Sequence, residues 1–352
     1  MASTSSLAQA PLTLEDSLGA PRFGTYQGSL DAVNLGALRG PWQPRPLERL
    51  AVHKRWLYAF VATHEVAAVF AIVDLGYASN AFALAVDLQT HQVLADQGVM
   101  GLPWPLVQVN EHVGPGLEAR FRGLGASFHA WRRFGDERYH ARVRLGVPAP
   151  LTRPRLSLRA ELLVAGAGPA LTVIAPVGQG QVNITQKWAG LPAYGELEAG
   201  GRRYRLDGGL GGLDCTHGYL ARRTAWRWAF VCARLPDGTP LGINLVEGFN
   251  ESREDVNENA VWLGQRLFPV GRARFKWNHD DLLDRWHVTT TDGAVDLTFK
   301  PVAQHREQRD LVFVRSRFSQ PVGLWSGTVR LDGQTHQFEN APGVAEDQDV
   351  TW

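Results

Sequence analysis

The sequence predicts an all-β protein of antiparallel sandwiches or barrels, and three observations predict it. Helical periodicity is nearly absent. Short alternating or β-branched runs recur between turn signals at roughly 8–12-residue spacing. Asp-Gly pairs at Asp237-Gly238, Asp292-Gly293 and Asp332-Gly333 supply the positive φ that tight hairpins need. Gly200-Gly201 is a fourth turn of this kind.

The elements follow in chain order. Residues 1–20 have neither a basic n-region nor an apolar h-region, so they do not read as a signal peptide. They are expected to form a mostly disordered tail with at most a short helical turn. The most apolar stretch, residues 58–77, contains His64, Glu65 and Asp74 and is too interrupted to span a bilayer. Alternation marks strands at 138–145, 155–163, 272–277, 295–299 and 311–318. At about 150 residues per domain, 352 residues suggest two domains or one large β domain.

Charge narrows the partners. The net charge of +1 excludes an electrostatic nucleic-acid binder. Of 36 basic side chains only Lys54, Lys187, Lys276 and Lys300 are lysines. This bias reads as GC-rich coding; planar recognition of acids by Arg is the alternative. Cys215 and Cys232 have no CxxC partner. A disulfide between them stays open, although a pair of thiols in a reducing compartment is the expectation for a chain of this size. The protein is expected to be soluble and cytoplasmic.

The chain also compares with itself. The segment from Gly195 (GELEAGGRRYRLDGG) aligns without a gap on the one from Gly327 (GTVRLDGQTHQFENA). Gly201 meets Gly333, Leu206 meets Phe338, and just beyond, Asp214 falls opposite Glu346. Other marks recur in order. Leu30-Asp31-x-x-Asn34 echoes Leu213-Asp214-x-x-His217, and Trp56-x-Tyr58 echoes Trp226-x-Trp228. Ile72-Val73-Asp74 echoes Leu245-Val246-Glu247, and Asn80-Ala81-Phe82 echoes Asn259-Ala260-Val261. This pattern predicts a tandem duplication, with a β domain at 21–211 and a second at 212–352.

Candidate chemistry is densest from Asp214 to Asn259. Trp226 and Trp228, two apart on a strand, share a face and suit a cavity wall inside a barrel. His217 is the acid–base candidate, because its ordinary pKa lies near neutrality. Asp214 would orient it. Glu247, if buried, would have a raised pKa and donate a proton. Asn244 lies at odd spacing from Glu247 and so on the opposite face. Tyr219, Arg222, Asn244 and Asn250 are the candidate ligand-binding polar groups. The plainer alternatives stand beside these: the tryptophans as core, Asp214 and His217 as caps of a turn, Arg222 or Arg223 neutralising a carboxylate, and residues 250–259 as a solvated connection.

Several motifs fail. Gly209-x-Gly211 and Gly178-x-Gly180 lack the third glycine of a dinucleotide fingerprint. No GxxxxGK[ST], GxSxG or HExxH occurs. His279-Asp280-Asp281 reads as a polar turn, so no metal and no cofactor is expected.

The chain resembles the bacterial family called domain of unknown function 2804. The blocks that carry the resemblance are Gly24-x-Tyr26-x-Gly28 with Asp31, AIVDLGY at 71–77, and His217 followed by Arg222-x-Thr224-x-Trp226-x-Trp228-Ala229. Further blocks are LGINLVEGFN at 241–250, ENAVW at 258–262, DLTF at 296–299 and Gly343-Val-x-Glu-Asp347. They span residues 21–352. That family is distantly similar to tandem lipocalin-like proteins such as AttH-like proteins and carotenoid hydratases. The resemblance implies two calycin-type antiparallel β-barrel or sandwich domains and a hydrophobic ligand cavity between or within them. Some of those relatives add water to apolar polyenes or steer their cyclisation. No catalytic residue carries over.

Two functions of different class follow. One is a lyase or isomerase, hydratase- or cyclase-like, acting on a hydrophobic small molecule. The other is a non-catalytic carrier of a lipid or other apolar ligand, with a β scaffold for interactions as a third. The enzyme reading needs a buried ionisable group on the cavity wall and falls if His217 and Glu247 are both solvent-exposed or salt-bridged away from any pocket. The ligand reading falls if neither half contains a cavity of roughly a few hundred cubic ångströms. Oligomeric state is not legible in the sequence.

Overall fold

A computed structural model describes residues 6–146, 156–178, 181–310 and 315–352. The four turn signals each close a hairpin. Gly200 and Gly201, at φ 59° and 75°, join Gln181–Ala199 to Arg202–Arg205. Asp332 and Gly333, at φ 49° and 75°, join Arg315–Leu331 to Gln334–Thr351. The alternating runs are strands at Arg138–Leu145, Leu156–Leu163, Ala273–Lys276 and within Val295–Asp310. Arg155 of the second run, residues 311–314 of the last and Gly180 lie outside the described residues.

Two curled antiparallel sheets hold these strands. The spine of the first runs Gln92–Gly101, Ser79–Asp87, Val66–Asp74, His53–Ala62, Gly209–Tyr219, Gln181–Ala199, Leu156–Leu163, Arg138–Leu145, Ala126–Trp131 and onward. The second runs Arg266–Pro269, Ala260–Leu263, Pro240–Glu247, Arg223–Arg234, Gln334–Thr351, Arg315–Leu331, Val295–Asp310, Trp286–Thr290 and Ala273–Lys276. Place by place the second order repeats the first. The first sheet is larger because it adds strands beyond Ala126–Trp131 and a side group formed by Gly24–Gln27 and Leu171–Gly178.

The internal echoes can now be placed. Tyr58 pairs across the ladder with Asp214, and Trp228 pairs with Glu346 at the same place in the second sheet. Tyr58 also faces Ala71, and Trp228 faces Val246. Ala71 is therefore the counterpart of Val246, two residues from the match that sequence suggested, and Asp74 is not the counterpart of Glu247. Leu30 to Asn34 precedes a 3₁₀ turn, whereas Leu213 to His217 is strand, so that echo does not correspond.

Two sequence boundaries read differently in three dimensions. Gly212 sits within a strand hydrogen-bonded to both His53–Ala62 and Gln181–Ala199, and the second sheet begins at Arg223. Residues 1–5 of the expected tail lie outside the described residues. Ala8–Gln9, however, pairs with Tyr26 and Gln27, and Leu14 is buried. Pairing in a distant register orders this segment, and its local composition does not show that. No helix among the described residues is long and apolar enough to cross a membrane.

Three apolar cores result. One fills the first sheet's interior and one the second's. A third lies between the sheets and takes the opposite faces of the central strands. On His53–Ala62, Leu57, Ala59 and Val61 point into the first core, while Tyr58, Phe60 and Ala62 point into the third. Both faces are buried, which is why residues 58–77 read as an almost continuous apolar run. The free thiols of Cys215 and Cys232 sit in different cores, and this closes the disulfide alternative.

The sheets touch through backbone where Gly190, at φ 79°, lies against Gly242. A Cβ at Gly242 would stand 2.4 Å from the Ala189 carbonyl carbon. Backbone cannot yield there as a flexible side chain could. Gly242→Ala is expected to lower unfolding free energy by about 1–3 kcal/mol through overpacking, read from urea denaturation. An unchanged midpoint would show that the contact tolerates a methyl group.

A candidate ligand cavity between the two sheets

A cavity of about 370 Å³ opens within the third core. Its walls come from both halves. Aromatic pairs cross between equivalent positions: Trp56 stacks on Trp226 at 6.0 Å, Tyr58 meets Trp228 edge-on at 4.9 Å, and Phe60 meets Phe230 at 5.8 Å. The first two pairs line the cavity, with Phe82, Phe249 and Phe318 completing an apolar wall. Of the two placements the resemblance implied, between or within the domains, this cavity takes the first; the space found beside Phe70, Tyr139 and Leu213 of the first core is about 10 Å³.

A polar cluster sits on one wall. The Lys187 ammonium donates to Asp214 Oδ2 at 2.7 Å and lies 3.3 Å from Glu258 Oε2. It also stands 5.2 Å from the Trp228 ring centre. Thr185 and Thr216 donate their hydroxyls to Asp214 Oδ1 at 3.0 and 3.2 Å. Asn250 donates to Glu258 Oε1 at 3.2 Å and accepts from Asn183 at 3.1 Å. Across the cluster Glu346 accepts from Trp226 Nε1 at 2.7 Å and from Gln320 Nε2 at 2.8 Å.

Burial decides the protonation states. It opposes the ionised form of Glu258 and pushes that carboxyl up to about 7, against the pull of Lys187. Glu346 is also pushed up to about 7 by burial, against the hydrogen bonds from Gln320 and Trp226. Burial pulls the Lys187 ammonium down, but Asp214 and Glu258 outweigh it and hold it above its ordinary value. The wall thus carries an ammonium–carboxylate pair beside two carboxyls that exchange protons near neutrality.

The sequence candidates divide. Asp214, Trp226 and Trp228 line the cavity. Asn244 and Asn250 stand behind the wall: Asn244 accepts from Trp228 Nε1 at 2.7 Å, and Asn250 holds Glu258. His217 lies three residues from Asp214 on one strand and therefore on the opposite face, so Asp214 does not orient it. It is buried away from the cavity, and burial, with Arg55 and His53 adding to it, drives its pKa well below the ordinary value. Glu247 neighbours the wall residue Val246 and so points away, toward the Phe275 N–H at 3.3 Å and Arg274 at 3.5 Å. Tyr219 packs in the first core with its hydroxyl 3.5 Å from the Leu35 carbonyl. Arg222 donates to the Trp352 carbonyl at 2.9 Å.

Sequence reasoning missed Lys187, Glu258 as a wall residue, Gln320 and Glu346 as a functional group. Two signals were available. Lys187 is one of four lysines, and Glu346 is the repeat's partner of Asp214. The polar loop 250–259 is exposed only at 252–255; Asn250, Glu258 and Asn259 are buried.

The chain belongs to the family described as domain of unknown function DUF2804, which matches residues 6–352. No curated protein matches it. Among solved structures it is similar to CghA, crystallised with Sch210972, at 13% identity, covering 98% of each chain with a TM-score of 0.51. An AttH-like protein from Nitrosomonas europaea is 13% identical, with 84% of this chain and 92% of that one covered and a TM-score of 0.46. Kievitone hydratase from Nectria haematococca is 11% identical, with 96% and 98% covered and a TM-score of 0.43. The likeness to CghA shows a shared fold.

The two raised carboxyls fix a pH dependence. In the folded chain they keep their protons to about 7, against 4.5 for an ordinary glutamate. The folded state then binds more protons than the unfolded one, so their contribution is complete below the lower value and is lost as pH rises through the higher. Stability is expected to fall between about pH 5 and 7.5 more steeply in the native protein than in Glu346→Gln, by roughly 1–3 kcal/mol. Parallel urea profiles for the two would remove the buried acid.

Proposed function

We propose that this DUF2804 chain binds a small, largely apolar molecule between its two β halves and performs acid–base chemistry of the lyase or isomerase kind on it. The observation that carries the reading is the cavity of about 370 Å³, walled by tryptophans and phenylalanines and closed at one side by Lys187, Asp214 and Glu258. A few convergent polar groups on an otherwise apolar wall are the usual make-up of a small-molecule site. CghA, of the same fold, was crystallised with Sch210972, which supports a ligand for this architecture.

The proton carrier in this reading is Glu258, in place of His217 and Glu247. Asp214 and Glu258 share one ammonium, and two carboxyls in that position do not ionise with equal ease. A carboxyl that titrates near neutrality gives up or takes a proton at little cost. Asp214 beside it helps hold the Lys187 ammonium above its ordinary value, and the apolar walls exclude competing water. Isomerisation takes a proton from one carbon and returns one to another, which a single carboxyl can do in turn. Hydration requires the same proton carrier and a water molecule.

Native mass spectrometry of the purified protein, followed by extraction of any retained small molecule, tests the binding claim. Trp226→Ala is expected to weaken retention by about 10- to 100-fold, the worth of one lost aromatic wall. Unchanged affinity would make Trp226 core alone. With the extracted molecule as substrate, Glu258→Gln is expected to keep binding and lose turnover. Binding without turnover in the native protein would favour the carrier reading.

A further inference from the structure

We propose that the molecule held between the halves carries one positive charge, as an apolar amine, and that Glu346 is its counter-ion within an aromatic cage. This rests on the reading of the cavity as a ligand site and adds the charge of its occupant.

The duplication supplies the first argument. In the first half Asp214 faces Lys187, a carboxyl met by an ammonium at 2.7 Å. In the second half the equivalent carboxyl is Glu346, and the side chain that meets it is Gln320, at 2.8 Å. The second half keeps the acid and replaces its cation with a neutral amide. Among the described residues Glu346 forms no ion pair, while the other wall carboxyls do: Asp214 and Glu258 with Lys187, Glu307 with His305. An unpaired carboxylate buried at 5% exposure is costly, and a ligand ammonium removes that cost.

The surroundings supply the second. Trp226, which donates its indole N–H to Glu346, presents its ring beside Trp56 and Phe249. Indole faces are the strongest aromatic partners for a cation. The fold already uses such an arrangement once, with the Lys187 ammonium 5.2 Å from the Trp228 ring centre. Gln348 pairs with Trp226 across the ladder, lines the cavity, and has its buried carbonyl oxygen Oε1 without a hydrogen-bond partner. An N–H of a protonated amine satisfies such an acceptor; a carboxylate or a hydrocarbon does not. The wall holds Asp214, Glu258, Glu307 and Glu346 against one lysine, in a chain whose charges nearly balance.

The test compares N,N-dimethylbenzylamine with its neutral carbon isostere isobutylbenzene, read by quenching of tryptophan fluorescence. At about pH 8 the amine is expected to bind the native protein at least about tenfold tighter. Glu346→Gln, and separately Gln320→Lys, which would bring in an internal ammonium, are expected to bring that ratio close to one and leave isobutylbenzene binding nearly unchanged. In the native protein the preference should shrink at about pH 5.5, where Glu346 regains its proton and the amine keeps its own. Equal or tighter binding of isobutylbenzene in the native protein would overturn the charge and leave the cavity reading intact. Failure of both probes to bind would overturn the cavity reading and the charge with it. The native-protein comparison decides the matter even if a variant does not fold.

Discussion

The rest of the structure depends on one constraint: the central strands His53–Ala62 and Arg223–Arg234 must bury both of their faces. Each sheet curls around its own core, which occupies one face. The other face stays apolar and is covered by strands of the other half. That is why Trp56 meets Trp226, Tyr58 meets Trp228 and Phe60 meets Phe230. The two halves are thus held by a third core, and separating them would expose an aromatic ladder to water.

The cavity is a consequence of that arrangement. Near Gly190 and Gly242 the sheets touch through backbone, and no space remains. At Trp56 and Trp226 the sheets enclose the cavity, and the side chains on the wall are no longer all apolar. Lys187, Asp214, Glu258 and Glu346 come from four separate strands or strand edges, and their mutual distances exist only because the two sheets face each other. With one ammonium among three carboxyls, burial sets the balance of charge. Protons resolve part of it, and this is what brings Glu258 and Glu346 to titrate near neutrality.

The repeated strand order shows where the site is asymmetric. Two equivalent carboxyls, Asp214 and Glu346, sit on equivalent strands, but their partners have diverged to Lys187 and Gln320. A symmetric pair would have neutralised itself. The departure from symmetry leaves one acid satisfied within the protein and the other satisfied only by neutral hydrogen bonds.

By itself the sequence determined the strands, the hairpins, the repeat of the Gly195 and Gly327 segments and the aromatic pair, because alternation and turn chemistry are local and those segments align directly. Trp226 and Trp228 were legible as wall residues for the same reason, whereas Asp214 was legible only as the partner of His217, a role its strand position denies it. The tertiary structure decided which buried face was core and which was cavity. A strand buried on both sides has no polar face to mark its orientation, so His217 and Glu247 read as well as Glu258 and Glu346 until the sheets were placed. It also decided the pairing of Lys187 with Asp214, because residues 27 apart become neighbours only through the register of Gln181–Ala199 on Gly209–Tyr219. Register between strands depends on packing that neither strand encodes alone.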